Sequence, residues 1–330
     1  MKKRLSDCIV AGVICGVLVI AMATFTASAA SGSTTSKKKT VLASNAQVLR
    51  AVQQAQSLQT VSPNIQPSLS NTTDVAQADG DGAPSVYQCH KIPSDKAKIP
   101  SYAFGGCAYG DPKGKKLMVV YGDSHAEMWA SALSSIASRI GWRLELFALP
   151  GCPAPDLSFI SFQTNSANTQ CTAFHKYAPP AIKALHPALV VVTSESTQQV
   201  SQGVYATPAQ WESGLIATFR SLSETGTILK MIGDIPEWEN DDADCLAAHM
   251  SSLQSCAATR VEALSVNLSA EKDASARSGV QYIPSTPWIC AAECEPVVSN
   301  IRVYLNEFHL TGTYAQYLSG VLQRAMNLSS

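Results

Sequence analysis

The sequence predicts an α/β fold, with a parallel sheet covered by helices on both faces. Three observations carry this. Five short runs are almost wholly apolar, as strands buried on both sides must be. Five longer stretches place apolar residues at helical spacing. The two kinds alternate between Leu117 and Met326, the pattern of strand and crossover helix.

The elements follow in order. Leu117–Tyr121 (Leu-Met-Val-Val-Tyr) is the first strand, and His125–Ile140 the first helix, its apolar side being Met128, Trp129, Ala132, Leu133, Ile136 and Ile140. Leu144–Ala148, Ala188–Thr193, Ile228–Gly233 and Val280–Pro284 are the remaining strands. Thr172–Leu185, Pro208–Glu224, Ala257–Ser278 and Leu310–Met326 are the remaining helices. Ligands of such sheets bind outside the carboxyl ends of the strands.

The N-terminus reads as an export signal. Lys2-Lys3-Arg4 precedes an uncharged, mostly apolar run from Cys8 to Phe25, and Ala27-Ser28-Ala29 offers the small residues of a cleavage site. Cys8 to Ala30 is also long enough to act as an uncleaved anchor. Either way the rest of the chain is expected outside the cytoplasm, with the membrane touched only through residues 1–30. No second apolar stretch approaches spanning length. Residues 31–85, rich in Ser, Thr, Ala and Gln, are expected to form a flexible linker. Within them Val41 to Leu58 has near-helical apolar spacing and suits a short helix lying on the domain or on a partner. The folded domain is expected over 86–330.

Of the 330 residues 46% are hydrophobic and 15% charged, and the net charge is -1. That balance, with no basic patch interleaved with aromatics, gives no support for nucleic-acid binding. Cys8 and Cys15 lie in the leader; eight other cysteines remain, an even count that implies disulfides in an exported chain. Sequence alone does not fix their pairing. Their clustering suggests Cys89–Cys107, Cys152–Cys171, Cys245–Cys256 and Cys290–Cys294, each worth roughly 2–3 kcal/mol. No Cys/His cluster has ligand spacing on both sides, so neither a metal nor another cofactor is expected.

Tyr121-Gly122-Asp123-Ser124-His125 lies where the first strand turns into the first helix. A serine there stands at the sheet edge beside the unpaired N–H groups of a helix start, where a negative oxygen is stabilised. Read by itself, Gly-Asp-Ser is better explained as a helix cap, through Asp123 or Ser124. A nucleophilic serine needs a base, commonly histidine. His309, just before the last helix, can reach the same edge. His125 follows Ser124 directly but points elsewhere and is expected to pack near the site or cap it. His90, His175, His186 and His249 have no motif context.

Several ordered motifs carry a resemblance: Gly122-Asp123-Ser124-His125-Ala126, Gly151-Cys152-Pro153, Cys245-Leu246 with Cys256, Pro287-Trp288-Ile289-Cys290 with Cys294, and His309-Leu310-Thr311 with Tyr314-Ala315. Together they resemble the SGNH/GDSL hydrolase superfamily. More narrowly, they resemble the SGNH domain associated with acyltransferase-3 proteins that O-acylate cell-surface polysaccharides. The stretch from Pro63 to Cys107 is similar to the extension preceding that domain in actinobacterial members. The resemblance implies a three-layer, doubly wound, flavodoxin-like sheet of five mostly parallel strands. It also implies Ser124 as nucleophile, His309 as general base, and an oxyanion hole from the Ser124 N–H and the loop at Gly151 and Cys152. A turn glycine is the other reading of Gly151.

Two positions depart from that pattern. The usual Asp-x-x-His is here Asn306-Glu307-Phe308-His309, so Asn306 stands where a carboxylate orients the base, with Glu307 as an adjacent substitute. In serine proteases this exchange lowers turnover by about 10⁴. After the third strand Thr193-Ser194-Glu195-Ser196 lacks the family's asparagine donor, leaving Ser194 or Ser196 to serve. The functional expectation is an exported O-acyl (acetyl) esterase or O-acyltransferase acting on a cell-envelope polysaccharide or glycolipid through an acyl-Ser124 intermediate. A separate membrane acyltransferase-3 protein is the expected partner. The competing expectation, motivated by Asn306, is an inactive or weakened SGNH-fold accessory protein that binds glycan. A membrane-lipid lipase has less support, since no large apolar lid segment is present.

Overall fold

The computed structural model describes residues 42–70, 109–237 and 242–329. The leader, residues 31–41 and 71–85 of the expected linker, and the Cys89–Cys107 pair lie outside them. No helix among the described residues is long and apolar enough to cross a membrane.

Six strands form the central sheet: β1 (Tyr109–Gly110), β2 (Lys116–Gly122), β3 (Trp142–Ala148), β4 (Leu189–Thr193), β5 (Ile228–Ile232) and β6 (Gln281–Ile283). They lie in the order β1-β3-β2-β4-β5-β6. β3, β2, β4, β5 and β6 are parallel, as expected, and β1 adds an antiparallel edge beside β3. At two residues β1 is too short to leave a pattern in the sequence, which accounts for the expectation of five strands. The order reverses at β2, with β3 on one side and β4 on the other. This is the switch point at which open α/β sheets bind ligands.

Alternation along the strands divides the core. Met118, Val120, Leu144, Leu146, Leu189 and Val191 face α1 (Asn45–Ala55), α2 (Ser124–Ile140) and, last in the chain, the helix Gly312–Ala325. Leu117, Val119, Tyr121, Val190 and Val192 face α3 (Thr169–Ala184), α4 (Pro208–Leu222) and α5 (Leu268–Arg277). The Gly312–Ala325 helix is α6. Gly122 ends β2, and a Cβ there would lie 1.8 Å from the Thr193 carbonyl oxygen. Only glycine lets β2 and β4 approach so closely at the switch point.

Two expectations need correction. Residues 42–70 of the expected flexible linker fasten onto the domain, and the short helix expected within Val41–Leu58 is present there as α1. α1 begins with a capping box between Ser44 and Gln47 and buries Val48, Val52 and Ala55. Each buried valine contributes roughly 1.5–3 kcal/mol. Trp288 Nε1 donates to Asn45 Oδ1 at 3.0 Å, and Gln56 Nε2 donates to Glu295 Oε1 at 3.1 Å. The single helix expected over Ala257–Ser278 is interrupted. Ala258–Thr259 pairs with Glu293–Cys294, Thr259 caps a one-turn helix, and α5 starts only at Leu268. Asn267 holds the break by donating from Nδ2 to the Ser196 carbonyl at 2.7 Å. This tertiary bond, made to the turn after β4, outweighs helix propagation at the break.

Candidate active site

Ser124 is the first residue of α2 and lines a cavity of about 620 Å³ together with Gly151, Glu195 and His309. Its N–H, at the helix start, has no partner among the described residues. Asp123 caps the helix: Oδ1 accepts from the His125 N–H at 2.9 Å. Its other oxygen accepts from Ser194 Oγ and from the Glu195 N–H, both at 3.0 Å. One buried carboxylate thus clamps the turn after β2 to the turn after β4. The capping and nucleophile readings of this turn are compatible, because the cap is Asp123 and the cavity receives Ser124.

His309 stands on a hairpin formed by Tyr304–Asn306 and His309–Leu310. The Leu310 N–H donates to Met128 Sδ at 3.0 Å, which ties the hairpin to α2. His309 Nδ1 lies 2.9 Å from Asn306 Oδ1, and the Phe308 N–H donates to that same oxygen at 3.0 Å. This second bond decides the tautomer. A backbone N–H only donates, so the amide atom it meets is the oxygen. His309 must therefore carry its proton on Nδ1 and leave Nε2 unprotonated. The wrong tautomer, which makes an Asp-to-Asn exchange so costly in a protease, is avoided here. Nε2 is shielded from solvent and has no hydrogen-bond partner among the described residues, Ser124 Oγ included. Burial, reinforced by His125, pushes the His309 pKa down to about 3, so the ring is neutral. Glu307 makes no hydrogen bond among the described residues, so the expected substitute for the carboxylate is not engaged.

His125, next to Ser124 in the chain, is fully buried, its ring edge-on to His309 at 5.3 Å between centroids. Its Nδ1 is 2.8 Å from Asp234 Oδ1, and its Nε2 is 3.6 Å from Glu237 Oε1. Burial alone would depress the His125 pKa. The Asp234 carboxylate outweighs that and, with Asp123 and Glu195, lifts it to about 9. Burial also pushes Glu195 up to about 8, and Glu237 and Glu271 well above the usual carboxylate range. Asp234 is itself held by the Ser196 N–H at 2.7 Å and Ser196 Oγ at 2.6 Å, while its own N–H donates to Glu271 Oε2.

The oxyanion expectations divide. Gly151 has a φ of +70°, lines the cavity, and has an N–H without a partner among the described residues. A Cβ on it would stand 2.8 Å from Phe162 Cε1, so both conformation and space require glycine. Asn168 Nδ2 fixes the Gly151 carbonyl at 3.1 Å. Cys152 is not a donor: its N–H bonds the Leu149 carbonyl at 3.0 Å. The Cys152–Cys171 disulfide anchors this loop from behind, and Cys245–Cys256 and Cys290–Cys294 are also formed. Ser194 and Ser196 are not available either. The first is engaged by Asp123 and by the Ala154 N–H, the second by Asp234.

Two clusters of metal-ligating side chains occur among the described residues. In one, the Cys152 and Cys171 sulfurs beside His175 are bonded to each other. In the other, His125 is already in contact with Asp234 beside Glu237. Asp234, Glu195 and Glu237 are the site residues that sequence reading missed. An acidic residue directly after an apolar strand, as in Ile232-Gly233-Asp234, was the available signal, since all such strand ends meet at one edge.

Residues 88–324 match the family model of the SGNH domain (fused to AT3 domains). No curated protein matches the chain. Among solved structures, the chain is similar to the periplasmic domain of a lipopolysaccharide acetyltransferase from Salmonella ser. Paratyphi A. The identity is 17%, with 79% of this chain and 100% of that one covered at a TM-score of 0.55, which establishes a common fold. A GDSL-like lipase from Bacteroides thetaiotaomicron is 13% identical over 64% of this chain and 88% of its own, and its TM-score of 0.39 is too low to carry an argument.

Proposed function

Because the chain belongs to the SGNH family of domains fused to AT3 domains, we propose that it is a serine-dependent O-acyl esterase or O-acyltransferase working outside the cytoplasm on a cell-envelope polysaccharide or glycolipid. Ser124 is the nucleophile and His309 the base. The observation that carries this reading is the Asn306–His309 pair. It leaves an unprotonated Nε2 on a residue that lines the same cavity as a serine at a helix start.

As Ser124 Oγ attacks the acyl carbon, its proton passes to His309 Nε2. The Ser124 and Gly151 N–H groups are free to meet the carbonyl oxygen as it becomes negative. The proton on His309 then goes to the departing alcohol. Water or a second sugar hydroxyl, activated by the same imidazole, releases the acyl group. The Ser124–His309 hydrogen bond forms on substrate binding, as catalytic bonds that are open in the free enzyme often do. A membrane AT3 protein is the proposed acyl source, and the three disulfides of the described residues support an oxidising compartment.

The test uses purified protein with acetylated sugars and with a serine-directed fluorophosphonate. Hydrolysis of the ester and labelling that vanishes in Ser124→Ala are expected. A chain that neither turns over acetyl esters nor is labelled is instead the accessory glycan-binding protein. Asn306 favours that second reading, because it offers an imidazolium no charge.

A further inference from the structure

We propose that Glu195, in its neutral acid form, is the oxyanion donor that replaces the missing asparagine: Oε1–H donates a hydrogen bond to the acyl oxygen. The inference rests on the esterase or transferase reading above. Glu195 follows β4 at the switch point and lines the cavity with Ser124 and His309. The two serines around it are held by Asp123 and Asp234, so it is the side chain of that turn left to face substrate. Gln198 Nε2 donates to its Oε2 at 2.8 Å, which marks Oε2 as the carbonyl oxygen. Oε1 has no partner among the described residues and is where the proton belongs. The Glu195 backbone is fixed by the bond from its N–H to Asp123, one residue from the nucleophile.

The surroundings keep the acid neutral. Asp123 faces it from the β2–α2 turn, and Asp234 and Glu237 from the segment after β5. His125 and the hydrogen bond from Gln198 oppose them; that imidazole is already in contact with Asp234, and burial outweighs both. Glu127, Tyr205 and His309 are the other titratable groups of the cavity wall. Burial, with the Asp123 and Asp234 carboxylates, raises the Glu195 pKa to about 8, so at neutral pH it is a donor rather than an anion. A carboxylic acid kept neutral by its site is an established way to stabilise an oxyanion.

In the step itself, the Ser124 Oγ–C bond forms while the Ser124 proton moves to His309 Nε2. The carbonyl π pair moves onto the oxygen, where Glu195 donates without giving up its proton. Collapse restores the carbonyl, breaks the C–O bond to the alcohol, and returns the His309 proton to that alcohol.

The experiment measures kcat/KM for an acetylated sugar across pH in the wild-type chain, Glu195→Ala and Glu195→Gln, with thermal melting of each. Glu195→Ala is expected to lose about 10²–10³-fold. Glu195→Gln keeps a donor in place and stays within about tenfold of wild type. The wild-type profile falls as Glu195 ionises near pH 8, and this basic limb is absent from Glu195→Gln. A glutamine variant as impaired as alanine, an unchanged basic limb in it, or a fully active alanine variant overturns the proposal. Fluorophosphonate labelling of Ser124 separates the two readings. A wild-type chain that is inert to it overturns the enzyme assignment and this role together. Labelling that proceeds equally in wild type and Glu195→Ala overturns the role of Glu195 alone.

Discussion

Two imidazoles lie edge to face at 5.3 Å, one fully buried and the other partly buried at the cavity wall, yet their protonation is opposite. His125 touches the Asp234 carboxylate and holds its proton up to about pH 9; His309 touches the Asn306 carboxamide and gives its proton up at about pH 3. Burial disfavours the charged ring equally in kind at both positions, so the partner decides. The lesson is a division of labour: one histidine is a cation among carboxyl groups, and the other is a neutral ring at the cavity wall, the proposed base.

Removing the neutral member is expected to have the largest effect. His309→Ala should lower turnover of an acetyl ester by about 10⁴–10⁶-fold, measured by steady-state kinetics, while the melting temperature stays close to wild type. Removing the carboxylate of the charged member strikes the fold instead. Asp234→Ala leaves His125 buried beside one fewer anion, and urea unfolding should show a loss of about 3–5 kcal/mol.

Exchanging the partner of the neutral member sharpens the contrast. Asn306→Leu removes the acceptor that fixes the His309 tautomer and should lower turnover by about 10²-fold with little change in stability. Asn306→Asp should make His309 more like His125. Its pKa rises by about one to three units, the acid limb of the pH–rate profile moves up correspondingly, and turnover increases by about tenfold. An acid limb that does not move would mean that His309 is not the base.

Stability against pH separates the pair by sign. The folded His125 pKa lies above its unfolded value near 6.5, so its contribution is whole below that pH and is lost as pH rises through about 9. The folded His309 pKa lies below 6.5, so this ring destabilises the fold as pH falls from 6.5 toward about 3. Denaturant titrations should therefore show a decline from pH 6.5 to 9 in the wild type. The decline should be smaller in Asp234→Asn, whose His125 has no carboxylate in contact.

The sheet was legible because buried parallel strands must be apolar throughout. Val-Val-Tyr at 119–121 and Leu-Val-Val-Val at 189–192 admit little else. The edge strand and the interrupted helix were not legible, since one rests on two residues and the other on the long-range bond from Asn267 to Ser196. The helix within residues 42–70 was legible from its apolar spacing, but its partners Trp288 and Glu295, far along the chain, were not. At the site, Ser124 and His309 announced themselves by motif. Which oxygen meets which ring depends on how separate strand ends converge, and no local pattern in the chain encodes that. Asp234 illustrates this: 109 positions after His125, it determines that histidine's charge.

The Cys152–Cys171 bridge bears on how the protein should be produced. It closes a loop worth about 3 kcal/mol and sits next to Gly151, whose N–H is a proposed oxyanion donor. Material made in a reducing cytosol would carry two thiols there, packed against His175 and free to capture other thiols. Such a preparation could be well folded and yet score as inert. Periplasmic or oxidative expression, with free thiols counted before any assay, is the appropriate starting point.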